Sequence, residues 1–158
     1  MFNRHRLIVT LLDDFDNQVY DIVNLVVENG GSMGILVKRA DARTTVTPNA
    51  TMTTLASPTI GPTSGRSVWL AEMIAGATGP VHVFDSEQIW TVLDGCIAVD
   101  VAGDIQTLEV GDTVVIPAQA QRQIHAVSAC RMLVAGDGDA IATVPGEPAS
   151  RGTPAWIS

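Results

Sequence analysis

The chemistry this chain can offer is concentrated in three polar side chains, His82, Gln88 and Arg122, with Phe84 standing between the first two. They lie in two glycine-bounded stretches. Gly76 to Gly95 has the spacing G-x5-H-x-F-x3-Q-x6-G, and Gly111 to Arg122 has G-x5-P-x-Q-x2-R. Histidine is the side chain whose ordinary pKa lies near neutrality, so His82 is the first candidate for moving a proton. Arginine is a permanent cation with five donors and no acceptor, suited to an oxyanion and unable to ligate a metal. Gln88 offers a weak neutral lone pair, and Phe84 offers none. A base beside a cation is the pair that enolisation, isomerisation, dehydration or cyclisation of an oxygenated molecule requires.

These residues are embedded in short strands punctuated by turns. From Ser67 onward the segments SVWLAEMIA, PVHVF, QIWTVLDG, CIAVDV, IQTLEV, DTVVIPA, RQIHAV and CRMLVAG follow one another, separated by Gly-, Asp- and Ser-rich elements. Many short strands at close spacing predict an all-β sandwich or barrel. Ala102-Gly103-Asp104 between two alternating segments is a hairpin signal, and Gly111-Asp112 ahead of an apolar run is a tight-turn signal. The chain has 158 residues, 46% hydrophobic and 16% charged, which is enough for one domain with a core and excludes disorder as a whole. Period-2 alternation places Gln88, Trp90 and Val92 on one face of their strand and Trp69, Ala71 and Met73 on one face of another, leaving Glu72 on the far side.

The two stretches resemble the cupin motif pair, G-x5-H-x-H-x3-E-x6-G and G-x5-P-x-G-x2-H, with every spacing kept and several letters changed. The resemblance covers about Gly34 to Gly138 and implies a cupin double-stranded β-helix, a single-domain jelly-roll barrel with the two motifs on adjacent hairpins. It also implies that His82, Phe84, Gln88 and Arg122 point into the barrel, with Trp69, Ala71, Met73 and Trp90 lining the same cavity. A typical cupin holds Fe, Mn, Zn or Ni at these four motif positions. Here Phe84 and Arg122 supply no lone pair, and a cation several ångströms from a divalent ion repels it by a few kcal/mol at an effective dielectric of ~20. The expectation is therefore no resident cofactor. Were a divalent metal held, its ligands would be His82 and Gln88, joined by His125 if the AQAQRQIH strand slipped by three residues. Without that slip, His125 is a surface histidine on the opposite face.

The resemblance implies a small-molecule-binding protein. The expected activity is that of a metal-independent or weakly metal-binding isomerase, cyclase or lyase acting on an oxygenated, polyketide-like metabolite, with His82 and Arg122 as catalytic pair and the two indoles giving planar apolar contact. One alternative is a non-catalytic ligand-binding cupin in which His82 is a hydrogen-bonded structural residue and the tryptophans are core. Another is a metal-dependent dioxygenase. Fold alone does not choose among them.

Three regions complete the reading. Residues 1–32 form an extension in which Phe15, Val19, Ile22, Val23 and Val26 recur at helical intervals, ending at Gly30-Gly31. Residues 33–142 are the cupin domain, opening with a Thr-, Ala- and Pro-rich stretch that predicts edge strands and irregular arms. Residues 143–158 are a Pro- and Gly-rich tail whose Trp156 and Ile157 are poor surface residues, so docking on a barrel end or on a neighbouring subunit is expected. The edge strands and this tail make a homodimer the expected assembly. A net charge of -8 without a basic stripe argues against nucleic acid. No apolar run approaches the ~18 residues of a membrane helix, and a cytoplasmic location is expected. Cys96 and Cys130 lack redox or zinc spacing and read as buried free thiols.

Overall fold

The computed structural model describes residues 34–147 and 150–158. The helical signal predicted within 1–32 lies outside the described residues. The body Ile35–Ser158 opens with a 3-10 turn at Arg39–Asp41 and continues as eleven strands. These are β1 (Arg43–Val46), β2 (Thr51–Ala56), β3 (Arg66–Met73), β4 (His82–Phe84), β5 (Gln88–Asp94), β6 (Ile97–Val101), β7 (Asp104–Leu108), β8 (Thr113–Ile116), β9 (Gln121–Ala126), β10 (Cys130–Asp137) and β11 (Ala142–Thr143). They form two antiparallel sheets, ordered β1-β2-β3-β10-β5-β8 and β11-β4-β9-β6-β7. This is the predicted all-β jelly roll. Among the described residues no helix is long and apolar enough to cross a membrane.

Alternation builds the interior. In β3 Ser67, Trp69, Ala71 and Met73 are buried while Arg66 and Glu72 are exposed. In β5 the buried set is Gln88, Trp90 and Val92, and in β9 it is Arg122, Ile124 and Ala126. Cross-strand register aligns these into rows. Thr54, Trp69, Val134, Trp90 and Val114 face one another across five strands, and the next row runs Ser67, Gly136, Gln88, Ile116. A one-residue slip in any strand would turn its buried set outward, so the apolar rows fix the register.

The predicted turns are present. Val101 pairs with Asp104, leaving Ala102 (φ 53) and Gly103 (φ 94) as a two-residue loop with both backbones left-handed, the geometry that suits the right-handed twist of a hairpin. Asp112 Oδ2 accepts the Glu109 N–H at 2.9 Å and closes the turn into β8. Cys130 is buried and Cys96 half-buried, both as free thiols, and burial pushes the Cys130 thiol pKa up.

The C-terminal tail docks on the barrel through its own main chain. The Thr54 hydroxyl donates to the Trp156 carbonyl at 2.8 Å, the Ser67 hydroxyl to the Ile157 carbonyl, and the Arg43 guanidinium to the Ser158 carbonyl. Ile157 is fully buried. Removing such a side chain from water contributes about 1.5–3 kcal/mol, which helps explain why a segment without regular structure stays in place.

Candidate functional site

His82, Phe84, Gln88, Trp69, Ala71, Met73 and Trp90 line one cavity of about 530 Å³ between the two sheets. The walls come from the inward rows of β3, β4 and β5, with Ile124 of β9.

His82 sits on β4 directly opposite Arg122 of β9. Its Nδ1 lies 2.8 Å from the Pro80 carbonyl, which can only accept, so Nδ1 carries the proton and Nε2 keeps the lone pair. The ring meets Phe84 edge-on at 5.2 Å. Burial lowers the His82 pKa below the usual imidazole value, the Pro80 bond raises it, and the nearby Arg122 charge lowers it further, the net being downward. His82 is therefore a neutral base at pH 7, with its tautomer fixed by its own backbone.

Arg122 points inward, as alternation requires, and is 1% exposed. It is absent from the cavity wall. Its Nε donates to the Ala120 carbonyl at 3.2 Å, one terminal nitrogen donates to the Pro117 and Ala120 carbonyls at 3.1 and 3.2 Å, and the other donates to Gln88 Oε1 at 3.2 Å. The guanidinium also lies 5.4 Å from the Phe84 ring centroid. Among the described residues, the ion pairs are Arg66–Asp137 and Arg151–Glu147, so no carboxylate compensates Arg122. Burial alone lowers its pKa to about 10, which leaves it charged at neutral pH. The guanidinium that the motif placed at the cavity is thus a brace for the 117–120 turn and for Gln88. What reaches the cavity is its field.

Gln88 is fully buried, and its Oε1 accepts from both Arg122 and the Trp90 indole, the latter at 3.1 Å. Two donors on one atom fix the amide orientation, because a flipped amide would set its NH2 against two N–H groups. Among the described residues, Gln88 Nε2 and Trp69 Nε1 are buried with no protein acceptor.

Metal binding was the chemistry the motif resemblance implied, and the donor set does not fit it. Phe84 has no lone pair, Arg122 is a buried cation, and Gln88 Oε1 already accepts two hydrogen bonds. His125 brings no third donor. It is exposed on the outer face of β9, its Nδ1 2.7 Å from the Thr78 hydroxyl, and the three-residue slip does not occur because Arg122, Ile124 and Ala126 hold the inward face. Among the described residues no group of three or more His, Cys, Asp or Glu comes together.

Other wall residues were not among the expected cavity residues, although docking of the Trp156-Ile157 tail on a barrel end was expected. The turn Thr47–Ala50, Met52, and the tail residues Pro154 and Trp156 close the cavity, and Arg151, paired to Glu147 through two nitrogens, also borders it. The Trp156-Ile157 pair signalled the docking, but not that Trp156 would border the cavity.

The cupin domain family matches residues 69–136, from the first Trp of the cavity to the glycine beside Gln88. Among solved structures the chain is similar to an RmlC-like cupin from Shewanella frigidimarina, with TM-score 0.54 and 17% identity over 62% of this chain and 85% of that one. It is similar to salicylate 1,2-dioxygenase from Pseudoaminobacter salicylatoxidans, described in adducts with gentisate, with TM-score 0.58 and 19% identity over 66% of this chain and 31% of that one. It is also similar to oxalate decarboxylase from Bacillus subtilis, with TM-score 0.57 and 16% identity over 63% and 28%. The chain therefore spans less than a third of the length of the dioxygenase and the decarboxylase. At these identities the likeness carries the fold and not the activity. No curated protein matches the chain by sequence.

Proposed function

We infer that this chain, which belongs to the cupin superfamily, binds a small oxygenated organic molecule in its barrel and acts on it without a resident metal, as an isomerase, cyclase or lyase. The observation that carries the reading is a neutral His82, its lone pair on Nε2, in the wall of an apolar cavity beside an uncompensated buried cation. Nε2 takes a proton from a carbon next to a carbonyl, the C–H electron pair moves onto the carbonyl oxygen, and the imidazolium returns the proton at a second position. A positioned base of this kind is worth 10²–10⁴-fold, and a fixed positive charge steadies the enolate without touching it. The apolar wall strengthens that charge effect by excluding water. Arg122 also lowers the His82 pKa, so the pair suits carbon acids already activated by carbonyl groups. A polyketide-like metabolite has that character.

A second reading, a ligand-binding cupin without turnover, is favoured by one observation. Among the described residues of the wall His82 is the one histidine, and Arg151 is tied to Glu147. Native mass spectrometry of the purified protein identifies the retained molecule, and turnover of that molecule is then compared in wild type and His82→Ala. Loss of turnover in a variant that still unfolds cooperatively supports catalysis. A molecule returned unchanged by the wild type, and merely bound more weakly by the variant, establishes the binder. Assembly as a homodimer belongs to the same proposal, supported by the edge strand β1 with Val46 75% exposed.

A further inference from the structure

We propose that Gln88 Nε2 and Trp69 Nε1 are the oxygen-binding donors of the cavity, that the molecule they receive is an organic anion bearing its charge on a carboxylate or enolate oxygen, and that Arg122 is the residue that positions Gln88 for this task. The inference rests on the cavity being a small-molecule site.

Both donors belong to side chains at most 1% exposed, and neither finds an acceptor among the described residues. A buried N–H left without a partner costs about 1–3 kcal/mol, and both side chains belong to the cavity lining, so a ligand oxygen that reaches the two donors relieves that cost. Their placement follows from the sheet. Trp69 on β3 and Gln88 on β5 flank β10, and between them β10 carries Gly136. A Cβ at that glycine would lie 3.3 Å from Gln88 Cγ and 3.6 Å from Trp69 Cη2, so the missing side chain leaves the two neighbours room to approach each other. Arg122 and Trp90 together occupy Gln88 Oε1, which commits Nε2 to the remaining direction. Charge completes the argument. The wall holds the side chains of these two uncharged donors, a neutral His82 and Arg151 already paired to Glu147, while the guanidinium behind it has no carboxylate partner among the described residues, so an incoming anion is the compensating charge. The chain as a whole carries -8, which repels anions, so anion selectivity would be a property of this site and not of the bulk surface.

The test uses two probes of one shape, 2-naphthoate and 2-methylnaphthalene, titrated into the full chain while its three tryptophan indole N–H signals are followed by nitrogen–proton NMR. Trp69→Phe identifies the Trp69 signal. Naphthoate is expected to bind at least about tenfold more tightly than the hydrocarbon and alone to move the Trp69 indole proton downfield, as a charge-assisted hydrogen bond requires. Gln88→Glu, which keeps the shape and an acceptor for Trp90 and Arg122 but removes the free donor, is expected to weaken naphthoate roughly ten- to hundredfold and leave 2-methylnaphthalene within about threefold. Arg122→Lys keeps the charge and loses the fork, so naphthoate affinity stays reduced and the Gln88 side-chain amide signal moves. Equal binding of the two probes, no binding of either, parallel indole shifts, or equal losses on Gln88→Glu would overturn the donor pair. Full naphthoate affinity in Arg122→Lys would overturn the positioning role. Turnover plays no part in these readouts, so failure of His82 as a base and failure of the donor pair are separate results.

Discussion

Gly95 and Gly103 form a matched pair for testing how tightly the barrel is closed at the exit of the site strand β5. Both have left-handed backbones, φ 76 and φ 94. A Cβ added at Gly103 meets nothing within 4 Å, whereas one at Gly95 would lie 2.1 Å from the Ala129 carbonyl oxygen and 2.8 Å from the Cys130 Cα. The conformational term is common to the two positions, about 1–2 kcal/mol for an L-residue held left-handed, offset by about 0.4–1 kcal/mol from a less flexible unfolded chain. Gly103→Ala should therefore cost about 1 kcal/mol. At Gly95 the obstacle is backbone, which has no rotamer to yield, and relief requires β10 to retreat by about an ångström from the β5–β6 turn. Overpacking of that kind adds about 1–3 kcal/mol. That retreat also strains the turn's own bonds, Cys96 N–H to Ser128 Oγ at 2.9 Å and Val127 N–H to the Cys96 carbonyl at 3.0 Å. The expected gap between the variants is about 2 kcal/mol, read as a difference in urea midpoint at unchanged slope. Equal midpoints would refute the close approach of Gly95 to the start of β10.

Two further predictions follow from the site. Because the folded-state pKa of His82 lies below the ordinary imidazole value, the unfolded chain takes up a proton near pH 6.5 while the native chain does not. Stability contributed by this residue is complete above that pH and falls as pH drops toward the folded pKa; His82→Gln should flatten the urea midpoint between pH 7.5 and 5, and an unchanged profile would contradict a half-buried imidazole kept neutral by its surroundings. In the tail, Ile157→Ala should lower stability by about 2–4 kcal/mol, whereas Trp156→Ala, at a half-buried position, should cost less than half as much. Comparable losses in urea titrations of the two variants would show that the tail is held by Trp156 instead.

The parts of the molecule legible in the sequence are those governed by the nearest neighbours along the chain. Alternation grouped Trp69 with Ala71 and Met73, grouped Gln88 with Trp90, and set His125 on the face opposite Arg122; which face is the inner one came from the cupin resemblance, and the paired positive φ at Ala102 and Gly103 follows from the turn chemistry of that loop. The motif resemblance put His82 and Arg122 in one barrel interior, and the strand register then sets them opposite each other. Hydrogen-bond partners are chosen across space, and there the reading thinned. Nothing in AQAQR states that the guanidinium will fold back on the Pro117 and Ala120 carbonyls and present its charge without its donors. The orphaned Trp69 and Gln88 N–H groups depend on three strands meeting around Gly136, and Trp156 joins the wall from the far end of the chain.

The way the last residues are fastened separates two properties that most cavities couple. Thr54, Ser67 and Arg43 grip peptide oxygens of the terminal segment, so the tether is indifferent to which side chains that segment bears, and Ile157 is its fully buried side chain. At position 156 only the carbonyl takes part in the fastening, and the side chain borders the cavity. An exchange at that one side chain would alter the size and shape of the space offered to a guest while leaving the main-chain tether and the His82–Pro80 bond in place.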